Sequence, residues 1–470
     1  MAASIVPRPK NSIWQSLVEA VRGTQQDFTE GSISRAVLLL ATPMVLEMLM
    51  ESLFGVVDIF WVTRLGANAV ATVGLTESML TIVFSVALGI SLSTTAMVAR
   101  RIGEKDERGA ATAAVQSIVL GIGVALLFGV PGILFASRML QLMGAPADVV
   151  ATGHQYTAIV FGGNIVVMLL FLNNAIFRGA GDASIAMRVL WVSNLINLAL
   201  DPCFIFGLGP FPALGVTGAA VSTLIGRSSG VVYQFWILRR GHSRVVIRRE
   251  NIRIVPKVIG TLVRVSSTGV MQFLIAHTSW ILLVRIISAF GSFAVAGYTI
   301  GIRIFMFVVL PAWGLSGAAA TMVGQNLGAH KPERAVKSVY LTSFYNAVYL
   351  GVIAIVLISV PNWIVGFFTS DPRVAPIAVD CLRIVAYGNL VYAFGMVIVQ
   401  AFNGAGDTVT PTLINIVGFW LFEVPLAWAL AFKADMKVPG VFASIPIAEV
   451  LITLLGFMMF VKGGWKRKKI

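Results

Sequence analysis

Charge is what this sequence has least of. Only 12% of its 470 residues are Asp, Glu, Lys or Arg, while 57% are hydrophobic. The mean hydropathy is +0.87. Soluble domains carry about 25% charged residues, because a wetted exterior needs them. That shortage excludes the water-soluble enzyme classes, and the apolar excess excludes disorder. Cysteine is scarce too. Cys203 and Cys381 both lie in apolar stretches, where they read as small buried hydrophobes. They permit neither a disulfide framework nor a zinc spacing. The four histidines, His154, His242, His277 and His330, are scattered without ligand spacing. No nucleophile elbow, P-loop or dinucleotide fingerprint occurs. Neither a cofactor nor an enzyme is expected.

What is present is apolar sequence in long runs. One bilayer crossing takes ~20 residues. Twelve segments satisfy this, at roughly 35–62, 74–99, 112–136, 151–177, 184–208, 213–238, 259–288, 294–327, 338–360, 376–402, 410–432 and 439–461. The expected fold is an all-α integral membrane protein of twelve transmembrane helices. The net charge of +14 invites a nucleic-acid reading, but its distribution argues for topology instead. With the N-terminus inside, the inner connections and tails hold 25 Lys and Arg and the outer loops hold five. This fits the positive-inside rule. Both termini are then expected in the cytoplasm, with the chain in the cell membrane. The basic C-terminal run Lys466-Arg467-Lys468-Lys469 is placed to touch anionic lipid. In the polar tail 1–34, Ile13, Trp14, Leu17, Val18 and Val21 share one helical face, which suggests a short interfacial helix.

The chain repeats itself. Phe177-Arg178-Gly179-Ala180-Gly181-Asp182 recurs 225 residues later as Phe402-Asn403-Gly404-Ala405-Gly406-Asp407. The same offset maps Gly163-Asn164 onto Gly388-Asn389, and Val83, Ala87, Gly89 and Ser91 onto Val308, Ala312, Gly314 and Ser316. Each repeat holds six spans, so the two lie parallel, related by an axis along the membrane normal. The expected division is a tail at 1–34, an N-lobe at 35–238, a basic linker at 239–258, a C-lobe at 259–461 and a basic tail at 462–470. Paired lobes that rock against each other are a transporter architecture, with substrate in the cleft between them.

Ionisable residues within spans cost ~2.5–3.5 kcal/mol each on insertion scales. The first span holds Glu47, Glu51 and Asp58. At 100° per residue these share one face, which must line a cavity or meet polar partners. The fifth span holds Asn194, Asn197 and Asp201, followed by Pro202. Asn197 and Asp201 stand one turn apart, and proline frees a backbone carbonyl. Carboxylate, amide and carbonyl oxygens suit Na⁺ or a proton relay. The fourth span adds Asn173 and Asn174, and the sixth adds Thr217, Ser222 and Thr223. In the second repeat, Gln272, Ala276 and Leu283 stand where the first has Glu47, Glu51 and Asp58. That half retains Glu423 two residues before Pro425, with Arg285 and Arg303 available to neutralise it. The asymmetry places the coupling site in the N-lobe. A Met- and Phe-rich cleft suits greasy, varied substrates.

These features resemble the multidrug and toxic compound extrusion (MATE) transporters. The resemblance rests on the paired Gly-Ala-Gly-Asp loops and on Pro43 with Glu51 and Asp58 before Arg64-Leu65-Gly66. Asn197-x-x-x-Asp201-Pro202 before Gly215-Val216-Thr217-Gly218-Ala219-Ala220 adds to it. It spans about 35–460, and an acid-free seventh span looks more like the DinF-type or archaeal-type branch. The resemblance implies an H⁺- or Na⁺-driven antiporter of drug-like, often cationic, small molecules. The proton is the expected coupling ion, the substrates are expected to be amphipathic or cationic, and a monomer is expected. The resemblance also implies that Asp58, Asn174, Asn197, Asp201 and Thr223 form the N-lobe cation site, with Glu51 nearby. Glu423, Gln272 and Arg303 are the C-lobe candidates. Some relatives carry Tyr one turn before the first Asp; here it is Phe54. The alternative is a flippase for lipid-linked sugars, which needs a basic cavity.

Overall fold

The computed structural model describes residues 13–23 and 26–470, and among them the chain is helical with no strand. The first lobe runs through Ile33–Thr63, Ala67–Gly103, Glu107–Leu134, Ala147–Gly162 continuing as Asn164–Ala180, Ala183–Phe206 and Val216–Arg240. The second runs through Pro256–Ser288, Ser292–Gly328, Pro332–Ser359, Ala375–Ala386 with Asn389–Gly404, Val409–Lys433 and Lys437–Lys462. These are the twelve spans, numbered here in chain order. Ten are long and apolar enough to cross a bilayer without a sharp bend. The sixth is less apolar because Ser222, Arg227 and Gln234 turn inward. Several helices outrun their apolar segments. The second begins at Ala67 and ends at Gly103, beyond the expected 74–99. Hydropathy reports where lipid lies, whereas the helix continues until its backbone groups are capped. Ser32 caps the first span, accepting from the Arg35 amide, and Asp106 caps the third, accepting from Gly109.

The repeat is visible in local geometry. The fourth span breaks at Gly163 and the tenth at Gly388, the positions paired by the offset. The tenth bends by 59° there. The two loop aspartates do the same job. Asp182 accepts from Ser243 Oγ at 2.6 Å and the Arg244 amide at 2.9 Å, anchoring the linker. Asp407 pairs with Lys468 Nζ at 3.1 Å, anchoring the C-terminal tail. In both repeats the partner lies 61 residues downstream.

A short helix, Ile13–Arg22, precedes the first span. Its Ser16 and Ala20 are buried, while Trp14 and Val21 are exposed. The predicted tail residues 1–12, and the side chain of Ile13, lie outside the described residues.

The first and second spans pack on the eighth and seventh across the lobes. Contact is closest at the face that carries both tails. A methyl group on Gly328 would collide with the Arg100 carbonyl, and one on Gly103 with the Gln325 carbonyl. Side chains reinforce this seal. Gln325 Nε2 donates to the Gly179 carbonyl and Thr321 Oγ1 to the Arg178 carbonyl, both at 3.0 Å. Arg100 donates to the Lys468 carbonyl at 2.8 Å. Arg334, in the second lobe, donates to the carbonyls of Phe28, Glu30 and Gly31, and the Phe28 ring lies against Gly181 of the first lobe. Among the described residues, every side-chain hydrogen bond joining the lobes lies at this face. On the opposite face Glu77 and Arg303 are exposed. They lie within electrostatic reach of each other across the lobes.

Gly328→Val is therefore expected to favour the state in which this face is parted. Cysteine pairs across the seam should crosslink several-fold less in the variant than in the parent.

Candidate functional site

The three acids of the first span do not act as one group. Glu47 is buried, and its Oε1 accepts from Arg178 Nη1 at 3.0 Å and Asn174 Nδ2 at 3.2 Å. Asn174 Oδ1 in turn accepts from Gln234 Nε2 at 2.7 Å, and Gln234 Oε1 from Asn173 Nδ2 at 3.1 Å. One turn on, Glu51 accepts from Arg227 Nη2 and Asn194 Nδ2, each at 3.3 Å. The Arg227 guanidinium also covers the Phe54 ring at 5.3 Å. Burial of a charge in the spans demands such a partner, and each of these acids has one. Together they border a central cavity of about 280 Å³ that contains Glu47, Glu51, Arg178 and Arg227.

Asp58 lies deeper, half-buried, and within electrostatic reach of Asp201, Glu77 and Arg227. Asp201 and Asn197 are fully buried on the fifth span. Asp201 Oδ1 accepts from Asn197 Nδ2 at 3.2 Å and from Ser222 Oγ. Asn197 Nδ2 also reaches Thr223 Oγ1 at 3.1 Å. The opposite oxygens, Asp201 Oδ2 and Asn197 Oδ1, are buried with no hydrogen-bond partner. An unpartnered buried acceptor is costly, and two within one hydrogen-bonded cluster leave acceptor capacity for a cation or a proton. The structure thus gathers Asn197, Asp201 and Thr223, with Asp58 nearby. It separates Asn174 from them, since the amide of Asn174 is spent on Glu47 and Gln234. Glu51 likewise belongs to the Arg227 pair. Ser222, noted only as a polar residue of the sixth span, is a direct partner of Asp201. Periodicity gives the face of one helix but not which helices meet there.

The second lobe corrects one expectation, that for Glu423. Gln272 donates to Asn403 Oδ1 and to the Thr408 carbonyl, both at 3.1 Å. Gln272 and Asn403 are the repeat counterparts of Glu47 and Arg178. A buried ion pair in one lobe is a neutral amide pair in the other. Glu423 is not neutralised by arginine. It is buried and accepts from Ser279 Oγ at 2.8 Å, while Arg285 and Arg303 are exposed elsewhere. Arg285 borders a separate groove with Val424, Pro425 and Trp428 of the eleventh span, and among the described residues neither arginine forms an ion pair with Glu423. Glu423 also borders a cavity of about 350 Å³ together with Glu449 of the twelfth span. Glu449 was not among the sequence candidates, although an isolated acid within 439–461 is the signal that singled out Glu423. The eleventh span widens into π-helical turns at Ile416–Glu423 and Ala429–Lys433, flanking Pro425. Such turns often accompany functional positions.

Two parallel six-helix lobes, a sealed face and buried polar groups that border internal cavities define a membrane transporter. The MatE family model matches the chain twice, at residues 43–203 and 269–429. The chain belongs to that family, whose members are transporters and not enzymes. It is similar to "Probable multidrug resistance protein YoeA" of Bacillus subtilis, 26% identical over 95% of this chain and 97% of that one. It is also similar to the "FAD transporter" of Shewanella oneidensis, 25% identical over 89% of this chain and 92% of that one. A solved structure described as the outward-facing conformation of a multidrug resistance MATE family transporter superimposes with a TM-score of 0.87. That match has 23% identity and covers 95% of this chain and 99% of the other.

Removing one member of a buried ion pair costs about 3–5 kcal/mol. Arg178→Asn alone is therefore expected to lower the melting temperature sharply. Adding Glu47→Gln recreates the Gln272–Asn403 pairing and should recover most of the loss. Thermal unfolding of detergent-solubilised protein, followed by intrinsic fluorescence, measures both.

Proposed function

We propose that this chain is a cation-coupled antiporter that exports amphipathic or cationic small molecules by alternating access. The observation that carries the reading is the pair of buried oxygens, Asp201 Oδ2 and Asn197 Oδ1, left without partners on the first lobe. A coupling ion bound there when the cleft faces one side, and released when it faces the other, supplies the drive. The proton is favoured because it needs a single free oxygen. An alkali cation must gather several, and the fully buried oxygens of this cluster that stand unpartnered among the described residues are those two. Asp58 lies close enough to share the charge and to pass the proton onward. The lack of an acid at Gln272, Ala276 and Leu283 supports the DinF-type branch.

The excess of Lys and Arg on one side supports a cell-membrane protein with both tails in the cytoplasm. The sealed face is then the inner one, and the cleft opens outward. A single chain carries both lobes and the whole cavity system, so a monomer suffices. The names of the relatives, multidrug resistance proteins among them, support drug-like cargo. A flippase for lipid-linked sugars would need a basic cavity. Arg178 and Arg227 are spent on Glu47 and Glu51, and Arg285 and Arg303 border neither main cavity.

The test uses proteoliposomes with an acidic interior and a fluorescent lipophilic cation outside. Uptake driven by the pH gradient, independent of Na⁺ and at least tenfold slower in Asp201→Asn, is expected. Uptake that requires a Na⁺ gradient would keep the site and change the ion. No uptake under either gradient, with folded protein, would remove the antiporter reading.

A further inference from the structure

Two spans match each other end to end across the lobes. The second, Ala67–Gly103, and the eighth, Ser292–Gly328, are each 37 residues long. The offset of 225 maps the one onto the other from first residue to last. Their tail-side ends meet at the seam, Gly103 against the Gln325 carbonyl and Gly328 against the Arg100 carbonyl. Further along, both helices wall the central cavity at equivalent positions: Leu88 with Trp313, Leu92 with Gly317 and Thr95 with Ala320. The axis that relates the repeats therefore runs between these spans, and equivalent residues stand at the same depth.

Beyond the cavity each helix carries one charge. Glu77 lies 26 residues before Gly103, and Arg303 lies 25 before Gly328. At 1.5 Å per residue, both stand about 38 Å from the seam. The repeat counterpart of Glu77 is Ile302 and that of Arg303 is Ser78. Opposite charges at one level thus arose by divergence of the two copies. Both side chains are exposed and lie within electrostatic reach of each other. Among the described residues, however, neither belongs to an ion pair, and neither lines the central or the second-lobe cavity. Seam, cavity wall and charge follow in the same order along two equal arms. When the tail-side ends part, the outer ends swing together, and opposite charges favour that approach. Pro311 interrupts the eighth span between the seam and Arg303, where the second has Val86. Proline removes a helical hydrogen bond, so this arm has a point at which it can bend.

We infer that Glu77 and Arg303 pair across the lobes when the outer face closes, and that this pair holds the outer face shut in the state in which the tail-side seam is parted. Both act as positioning residues, fixing the closed outer face without touching the coupling ion at Asp201. The inference rests on the alternating-access reading. Glu77 also lies within electrostatic reach of Asp58, so uptake alone does not separate a gate from a coupling group. A distance across the outer face does, and it needs no gradient.

The experiment places nitroxide labels at Ala67→Cys and Ser292→Cys, the first residues of the two spans, in the full chain with Cys203 and Cys381 replaced by alanine. Double electron–electron resonance on detergent-solubilised protein reads the distance between them. Two populations are expected, with the shorter enriched by Gly328→Val. Glu77→Gln and Arg303→Gln should each deplete the shorter one about threefold, the range that an exposed ion pair supplies. Glu77→Arg alone should deplete it further. The charge swap Glu77→Arg/Arg303→Glu should restore it to within twofold of the parent, which a merely structural role for either residue does not predict. A folded swap variant no better than Glu77→Arg alone would overturn the gate. So would neutral variants with the parent's distribution, or a single long distance in both the parent and Gly328→Val. If the swap restores the shorter distance but no gradient drives uptake by the parent, the gate stands and the coupling proposal fails.

Discussion

Hydrocarbon offers no partner to a charge, so each ionisable group within a span must find one inside the protein or face water. The architecture follows from how each group solves that problem. Glu47 and Glu51 are held by Arg178 and Arg227. Those pairs tie the first span to the fourth and sixth and fix the floor of the central cavity. Asp201 takes its hydrogen bonds on one oxygen and leaves the other open. Glu423 and Glu449 have no cationic partner and turn into a cavity instead. Paired, half-satisfied and unneutralised acids thus stand in three different settings within the spans.

The internal repeat gave evolution two copies of each position, and the copies have diverged where charge is concerned. The loop aspartates Asp182 and Asp407 keep one task, anchoring whatever follows their lobe. The helix breaks at Gly163 and Gly388 are kept as well. The Glu47–Arg178 ion pair, by contrast, is an amide pair at Gln272 and Asn403. A neutral pair carries no desolvation penalty for full charges, so geometry survives while the electrostatics change. The acid-free seventh span is the result. It leaves the field in the second lobe to acids on the eleventh and twelfth spans.

The tails complete the seal between the lobes. Backbone carbonyls at Phe28, Glu30 and Gly31 are gathered by Arg334, and Lys468 lies between Arg100 and Asp407. Both tails therefore touch both lobes. Glycines at the seam let the second and eighth spans approach to backbone contact, where dispersion over many atoms adds up. A face closed by this many small contacts can part only if they are exchanged for others, which is the requirement for two-state access.

Much of this was readable before any coordinates. The spans, the tandem repeat and the expense of mid-span acids follow from hydrophobic runs, from a repeated six-residue loop and from insertion cost. Each depends on residue type and spacing along the chain. Asn197 with Asp201 was readable because both lie on one helix, one turn apart. The pairing of Asn174 with Glu47, of Ser222 with Asp201, and of Glu423 with Glu449 in one cavity was not. Those contacts join helices separated by 21 to 127 residues or face one another across a shared void. They are set by which faces of which spans the packed lobes bring together. Periodicity places a side chain on a face, and only tertiary packing decides what that face meets.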